Sequence, residues 1–271
     1  VSEGIAVTGL ATVVPEPGER LRAVSFLKER KSKKYLGRQD ELAVVSAGRA
    51  LAQAGLEADL GERTGLFVAV GYIPFEARDI DPVLERSLDE NGRFSMARFS
   101  DGGYQRAHPL LAFRCLPNMP AFHIAANFGI EGPYHVTYPS DGQLYVALEQ
   151  AVLALRERRI DRALVTGVAH QQNFLVAHHH RRVGVDPAAL VDAGATAVIE
   201  RAGERDVPTV AHLAELEVAY TPFDPLTTSP PADGVRGPAE PLLAVDEGRG
   251  AEIVHEIRSR DGIHARARWT P

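Results

Sequence analysis

Between residues 134 and 168 a β-prone run, a tight polar corner, a long amphipathic helix and a second apolar run follow one another without slack. Tyr134-His135-Val136-Thr137-Tyr138 leads into Pro139-Ser140-Asp141-Gly142. Leu144, Leu148, Val152 and Leu155 then recur at three-to-four spacing, with Glu149 and Arg156 off that face. Ser140 with Gln143 three residues on has the pattern of a capping box. Ala163-Leu164-Val165-Thr166-Gly167-Val168 is short and apolar, as in a strand covered on both faces. A sharp strand-to-helix corner over a buried sheet is where α/β enzymes often hold a nucleophile, because the N–H groups of a helix start stabilise negative charge.

The 271 residues suit one large α/β domain or two intimately packed halves. A net charge of -6 argues against nucleic acid as the main partner. The single cysteine, Cys115, excludes an intramolecular disulfide and fits a reducing compartment. The sequence has no long apolar run and no signal-peptide pattern, so the expected location is the cytoplasm.

Asn118-Met119, Gly129-Ile130-Glu131-Gly132-Pro133 and the spacing from there to Asp161 resemble the β-ketoacyl synthase family of thiolase-fold condensing enzymes. Counted from Gly132-Pro133, the family's catalytic cysteine falls on Asp141, and the helix and the strand entry follow with no gap. Residues 5–10 are similar to the family's opening strand, residues 192–200 to the turn and strand closing its first half, and residues 228–234 to a loop opening its second. The resemblance implies an α/β, thiolase-like fold in one domain. Residues 1–234 would be a near-complete first half, and residues 235–271 a strongly shortened remnant of the second.

Elsewhere the pattern predicts a helix over residues 40–54 stopped by Gly55, and strands over 64–70 and 212–220. It also predicts a short helical piece over 238–245 and a hairpin of residues 252–259 and 263–269 turning at Asp261-Gly262. Residues 72–108 are polar and glycine-dotted, with few periodic signals; the matching stretch of the family is a variable insertion near the dimer interface. Residues 27–39 carry Lys28, Arg30, Lys31, Lys33, Lys34 and Arg38. Two readings are open: a solvated helix face, or a docking patch for an acidic carrier protein.

A ketosynthase needs a cysteine thiolate, two histidines and a nearby lysine, the last three from loops of the second half. No lysine follows Lys34, and His255 and His264 fall in the hairpin rather than in glycine-flanked loops. Asp141 is no substitute, because a carboxylate is a weak nucleophile and its anhydride would hydrolyse. No catalytic residue is therefore assigned, and Ser140 and Asp141 are expected to cap the helix. His178-His179-His180 with Arg181 and Arg182 is expected to be a solvated or interface loop, since adjacent residues do not converge on a metal. Cys115 is expected to be an apolar filler, and His123 and His135 to satisfy buried hydrogen bonds beside the core strand. No cofactor or metal is expected.

What the resemblance implies is a chain-length-factor-like, non-catalytic subunit that pairs with an active ketosynthase and shares its acyl carrier protein. Two other classes are weighed beside it: a thioester hydrolase or acyltransferase using Ser140 with His135 or His170 as base, and a homo-oligomeric acyl- or carrier-protein-binding scaffold. Family dimers pair the strand before the nucleophile across a two-fold axis, here Tyr134, His135, Val136, Thr137 and Tyr138. The segment before Asn118-Met119 reaches the partner's acyl tunnel, which makes Leu111, Phe113 and Arg114 the tunnel or gate candidates. In an extended segment Leu111 and Phe113 would share a face.

Overall fold

Alternation along β2 (Thr64–Val70) divides the core in two: Leu66, Val68 and Val70 pack on one side, Phe67 and Ala69 on the other. The computed structural model describes residues 4–72, 76–111, 113, 116–140, 142–182, 184, 186–221, 235–259 and 262–271. Its strands are β1 (Ile5–Val13), β2, β3 (Tyr134–Thr137), β4 (Arg162–Ala169), β5 (Ala193–Arg201), β6 (Ala211–Tyr220), β7 (Ile253–Arg258) and β8 (Ile263–Thr270). They form one sheet in the order β3-β2-β4-β5-β1-β6-β8-β7. β3, β2 and β4 run parallel, and every pairing from β4 to β5 onward is antiparallel.

Helices α1 (Arg38–Gln53) and α3 (Met119–Phe128) cover one face, and α4 (Gln143–Arg156) and α6 (Glu240–Glu247) cover the other. This is the thiolase-like α/β arrangement that the sequence implied, with sheet and helices alternating in layers. The buried residues of α4 spread well beyond one stripe: Leu144, Tyr145, Ala147, Leu148, Ala151, Val152, Ala154 and Leu155. Such a helix is covered on more than one side. Part of the cover is the β7–β8 hairpin. A Cβ on Gly142 would meet Ser259 Oγ at 2.6 Å and Ile263 Cβ at 3.1 Å, and Tyr145 Oη lies 2.6 Å from His255 Nδ1. Ile257, Ile263, Ala265, Ala267 and Trp269 carry the hairpin into the core. Each large side chain among them contributes about 1.5–3 kcal/mol of burial.

Several expectations are corrected. The first helix starts at Arg38, with Gly37 at its N-cap and the Gly37 N–H donating to Asp40 Oδ2 at 2.7 Å. Residues 72–108, read as aperiodic, contain α2 (Ala77–Ser87); its apolar Ala77, Ile80, Val83 and Leu84 do fall at helical spacing, but Pro82 inside the run reads as a breaker, and only Asp79 and Ser87 are buried. The histidine tract is not a loop but part of α5 (Phe174–Arg182). Helix α4 begins with Gly142 at its N-cap, so Ser140 lies outside it; the Gln143 N–H donates to the Ser140 carbonyl at 3.1 Å. The Ser140–Gln143 pattern therefore does not mark the start of the helix. Asp141, Ala112, Arg114, Cys115 and residues 228–234 lie outside the described residues. Among the described residues no helix is long and apolar enough to cross a membrane.

Candidate functional site at the carboxyl edge of the sheet

Two motif glycines set the entry to β3. Gly129 ends α3 in the left-handed conformation (φ 63°), where a side chain is strained. A Cβ on Gly132 would lie 2.3 Å from the Thr64 carbonyl oxygen and 2.5 Å from that of Glu62. Only glycine lets the chain slide that close beside the start of β2 before turning into β3.

β2, β3 and β4 are parallel, so their carboxyl ends open on one side, where open α/β sheets hold ligands. Tyr72 follows β2, Tyr138 and Ser140 follow β3, and His170 follows β4. The Tyr72 ring meets Tyr138 edge-on at 6.3 Å and lies 4.7 Å from His179 of α5, with Tyr72 Oη 2.9 Å from His179 Nε2. Thr137 Oγ1 donates to the Gln143 carbonyl at 3.0 Å and ties the corner to α4. Ser140 is buried.

Beside the corner lies a polar cluster that sequence reasoning did not assemble. The β4–β5 register pairs Ala169 with Ala193, which puts His170 and Asp192 next to each other just beyond the ladder. His170 Nδ1 lies 2.9 Å from Asp192 Oδ1, and Nε2 lies 3.3 Å from Glu76 Oε1. Asp192 also accepts from the Gln172 N–H and, at 3.0 Å, from Arg38 Nε. Burial alone would raise the Asp192 carboxyl; hydrogen bonds from His170, Gln172 and Arg38 outweigh it and hold the group at about 2. Both ring nitrogens of His170 thus face carboxylates, and neither is aimed at Ser140 as a general base would be.

The other histidines depart from expectation as well. His123 sits on α3, buried, with Nε2 lacking a hydrogen-bond partner and 4.0 Å from Asp40 Oδ2. Burial lowers His123 to about 4 and raises Asp40 well above the usual carboxyl range, so burial outweighs their mutual attraction. His135 is on β3 and exposed. Leu111 and Phe113 carry helical backbone, so positions two apart do not share a face and the alternation argument does not apply. The exposed Phe113 ring lies 5.5 Å from Tyr35. No group of three His, Cys, Asp or Glu side chains among the described residues is placed to hold a metal.

β3 ends the sheet, and Tyr134 is 72% exposed. Beside it, Leu66, Ala121, Phe122, Ala125, Ile130 and Tyr134 line an apolar cavity of about 260 Å³, with Phe122 itself exposed. The sequence profile of the beta-ketoacyl synthase N-terminal domain matches residues 7–186.

The chain belongs to the β-ketoacyl synthase family.

Solved structures place this β-ketoacyl synthase family member among end-to-end matches. A chain of AntDE:AntF, a type II PKS acyl-carrier protein in complex with its ketosynthase, superposes with a TM-score of 0.75 at 13% identity, covering 99% of both chains. The ishigamide ketosynthase/chain length factor gives 0.63 at 16% identity over 98% of this chain and 99% of that one. A β-ketoacyl synthase from Burkholderia phymatum STM815 gives 0.58 at 15% identity, covering 80% of this chain but only 64% of that one. No curated protein matches the chain in sequence.

Proposed function

We propose that this chain is a non-catalytic ketosynthase-like subunit, a chain length factor, that pairs with an active β-ketoacyl synthase and shapes its acyl tunnel. The observation that carries the reading is the residue at the strand-to-helix corner. It is Asp141, while the single cysteine, Cys115, lies before α3, and all four lysines fall between residues 28 and 34. Without a thiolate at the corner there is no group to take the acyl chain. The end-to-end matches to chains of a type II ketosynthase–carrier complex and of a ketosynthase/chain length factor support the same reading.

The partner ketosynthase adds its equivalent strand to β3, and the apolar cavity beside Phe122 and Tyr134 takes side chains of that partner. The carrier protein docks on the 3₁₀ segment Arg30–Tyr35, where Arg30, Lys31, Lys33 and Lys34 are exposed. Leu111 and Phe113 contribute to the end of the tunnel in the assembled pair.

Co-expression with an active ketosynthase, sizing of the product and a condensation assay test the proposal. The expected result is a one-to-one complex that extends acyl chains, and no β-ketoacyl product from this chain with malonyl carrier protein alone. Condensation by the isolated chain, or failure to associate with any ketosynthase, overturns it.

A further inference from the structure

The segment that begins with α2 packs chiefly on itself. α2 buries only Asp79 and Ser87, and Phe99 lies between two rings of the same segment, 5.9 Å from Phe94 and 6.2 Å from Tyr104. The Ser95 N–H donates to the Ser87 carbonyl, and the Arg98 guanidinium to that of Leu88. Between the first turn of α2 and the body lies a polar hollow of about 230 Å³ instead of an apolar seam. Glu76 stands at the N-cap of α2 but does not cap the helix with its side chain; its Oε1 crosses to His170 Nε2 at 3.3 Å. On the far side of the same ring Nδ1 lies 2.9 Å from Asp192 Oδ1. The charged groups around His170 are Arg38 and Glu41 of α1, Glu76, Arg78 and Asp79 at the start of α2, and Asp192 ahead of β5. Arg38 and the Gln172 N–H also bind Asp192, which is held at about 2 and stays ionised near neutrality.

We infer that His170 is a pH-dependent latch: protonated, it fastens the start of α2 to the sheet by bonding Glu76 and Asp192 together, and neutral, it lets Glu76 go. Ionised carboxylates only accept, so each needs an N–H from the ring; the imidazolium has two N–H groups and the neutral imidazole one. Asp192, with its side chain 4% exposed, has no water to replace the ring and keeps the Nδ1 proton. A bare Nε2 lone pair then faces the Glu76 carboxylate and the two repel. Glu76, 45% exposed, turns to water instead. Docking therefore takes up a proton, so it strengthens as pH falls through the histidine range and weakens as pH rises through it. The latch is a property of the single chain and does not rest on the function proposed above. It sets whether the segment 76–111 lies against the carboxyl edge of the sheet.

Amide hydrogen exchange of the full chain at about pH 6 and about pH 8.5 tests the latch, with rates corrected for the intrinsic effect of pH. A helix of 11 residues is marginal on its own, so release of α2 shows as faster exchange. Protection of the α2 amides is expected to fall about tenfold at the higher pH, the worth of one charge-assisted hydrogen bond, while α1 stays protected. Glu76→Ala, at an exposed position, should leave α2 weakly protected at both pH values. Glu76→Gln should make protection independent of pH, because an amide accepts from the imidazolium and donates to the neutral ring. Glu41→Gln removes the α1 carboxylate from the hollow and should keep the wild-type response. Equal α2 protection at the two pH values in the wild type overturns the inference. So does a pH response that survives in either Glu76 variant or disappears in Glu41→Gln. Loss of protection in α1 together with α2 would mean global opening and overturns it as well.

Discussion

Among the described residues the sheet has two free edges, and they are built differently. β7 carries Glu256 and Arg258, and Glu252 precedes it; Arg258 lies 3.6 Å from Glu256, and Arg268 of the neighbouring strand 3.7 Å from Glu252. β3 carries Tyr134, His135, Val136 and Thr137, none of them formally charged with histidine neutral, and stands beside the exposed ring of Phe122. Charged side chains along an edge strand keep other strands away. An uncharged edge next to an apolar hollow invites one. The contrast teaches that only one end of this sheet is protected against association, and the unprotected end is the one that precedes the corner.

The largest effect should come from removing one donor at each edge. Successive strand residues direct their N–H groups to opposite sides, and the Leu66 N–H bonds the Pro133 carbonyl, so residues 134 and 136 face away from β2. On β7 the Ser259 N–H meets the Ile263 carbonyl, so residue 254 faces away from β8 by the same count. Val136→Pro should abolish ketosynthase association, at least about tenfold weaker and beyond, while Val254→Pro leaves it unchanged. Gel filtration and titration calorimetry read this, and equal effects at both edges would erase the distinction.

Gly132→Ala comes next. Its Cβ would strike two carbonyl oxygens and displace the entry to β3, for about 3 kcal/mol of stability by urea melt. Gly250→Ala, near the start of β7, has a φ of 83° but open space around it, so it should cost about 1 kcal/mol. A smaller loss for Gly132→Ala than for Gly250→Ala would break the comparison.

Acid probes the middle of the sheet and calibrates both ends. Asp192 is held at about 2, below its unfolded value, so its contribution is present above about pH 4 and is lost as pH falls through about 2. The amount is about 2 kcal/mol, and Asp192→Asn should flatten that part of the stability profile. A variant with an unaltered acid limb would remove Asp192 as its cause. The smallest effect is expected of Phe122→Ala, which should weaken partner binding about tenfold with no change in the melting of the isolated chain. A melting shift without a binding change would make Phe122 ordinary core.

Much of this was legible in the sequence because it is local. The periodicities of β2, α4 and the β7–β8 hairpin fix those elements within a few residues. The glycines at 129 and 132 were legible as part of the family motif, and the structure supplies their reason, the close backbone approach to the start of β2. What was hidden is what forms only in three dimensions. Arg38, Glu76, His170 and Asp192 come from four separated segments and meet through the β4–β5 register, which no spacing displays. The histidine tract looked like a loop because charge and polarity dominate it, yet Val176 and His180 bury one side of a helix. Ser140 matched a cap pattern, but the corner runs two residues further before the helix begins.

The contact of Ser259 and Ile263 with Gly142 has a consequence for how such a chain can be shortened. A central helix that is apolar on more than one side cannot lose half its surroundings and stay dry. Here the final strands serve as a lid nailed over its first turn, with Tyr145 and His255 as the hasp. Cut the chain before Ile253 and the middle of the molecule stands open to water, although every residue of the corner itself is still present. The two final strands are therefore as necessary to the dry interior as the corner itself, because they form the wall against which the first turn of α4 is closed.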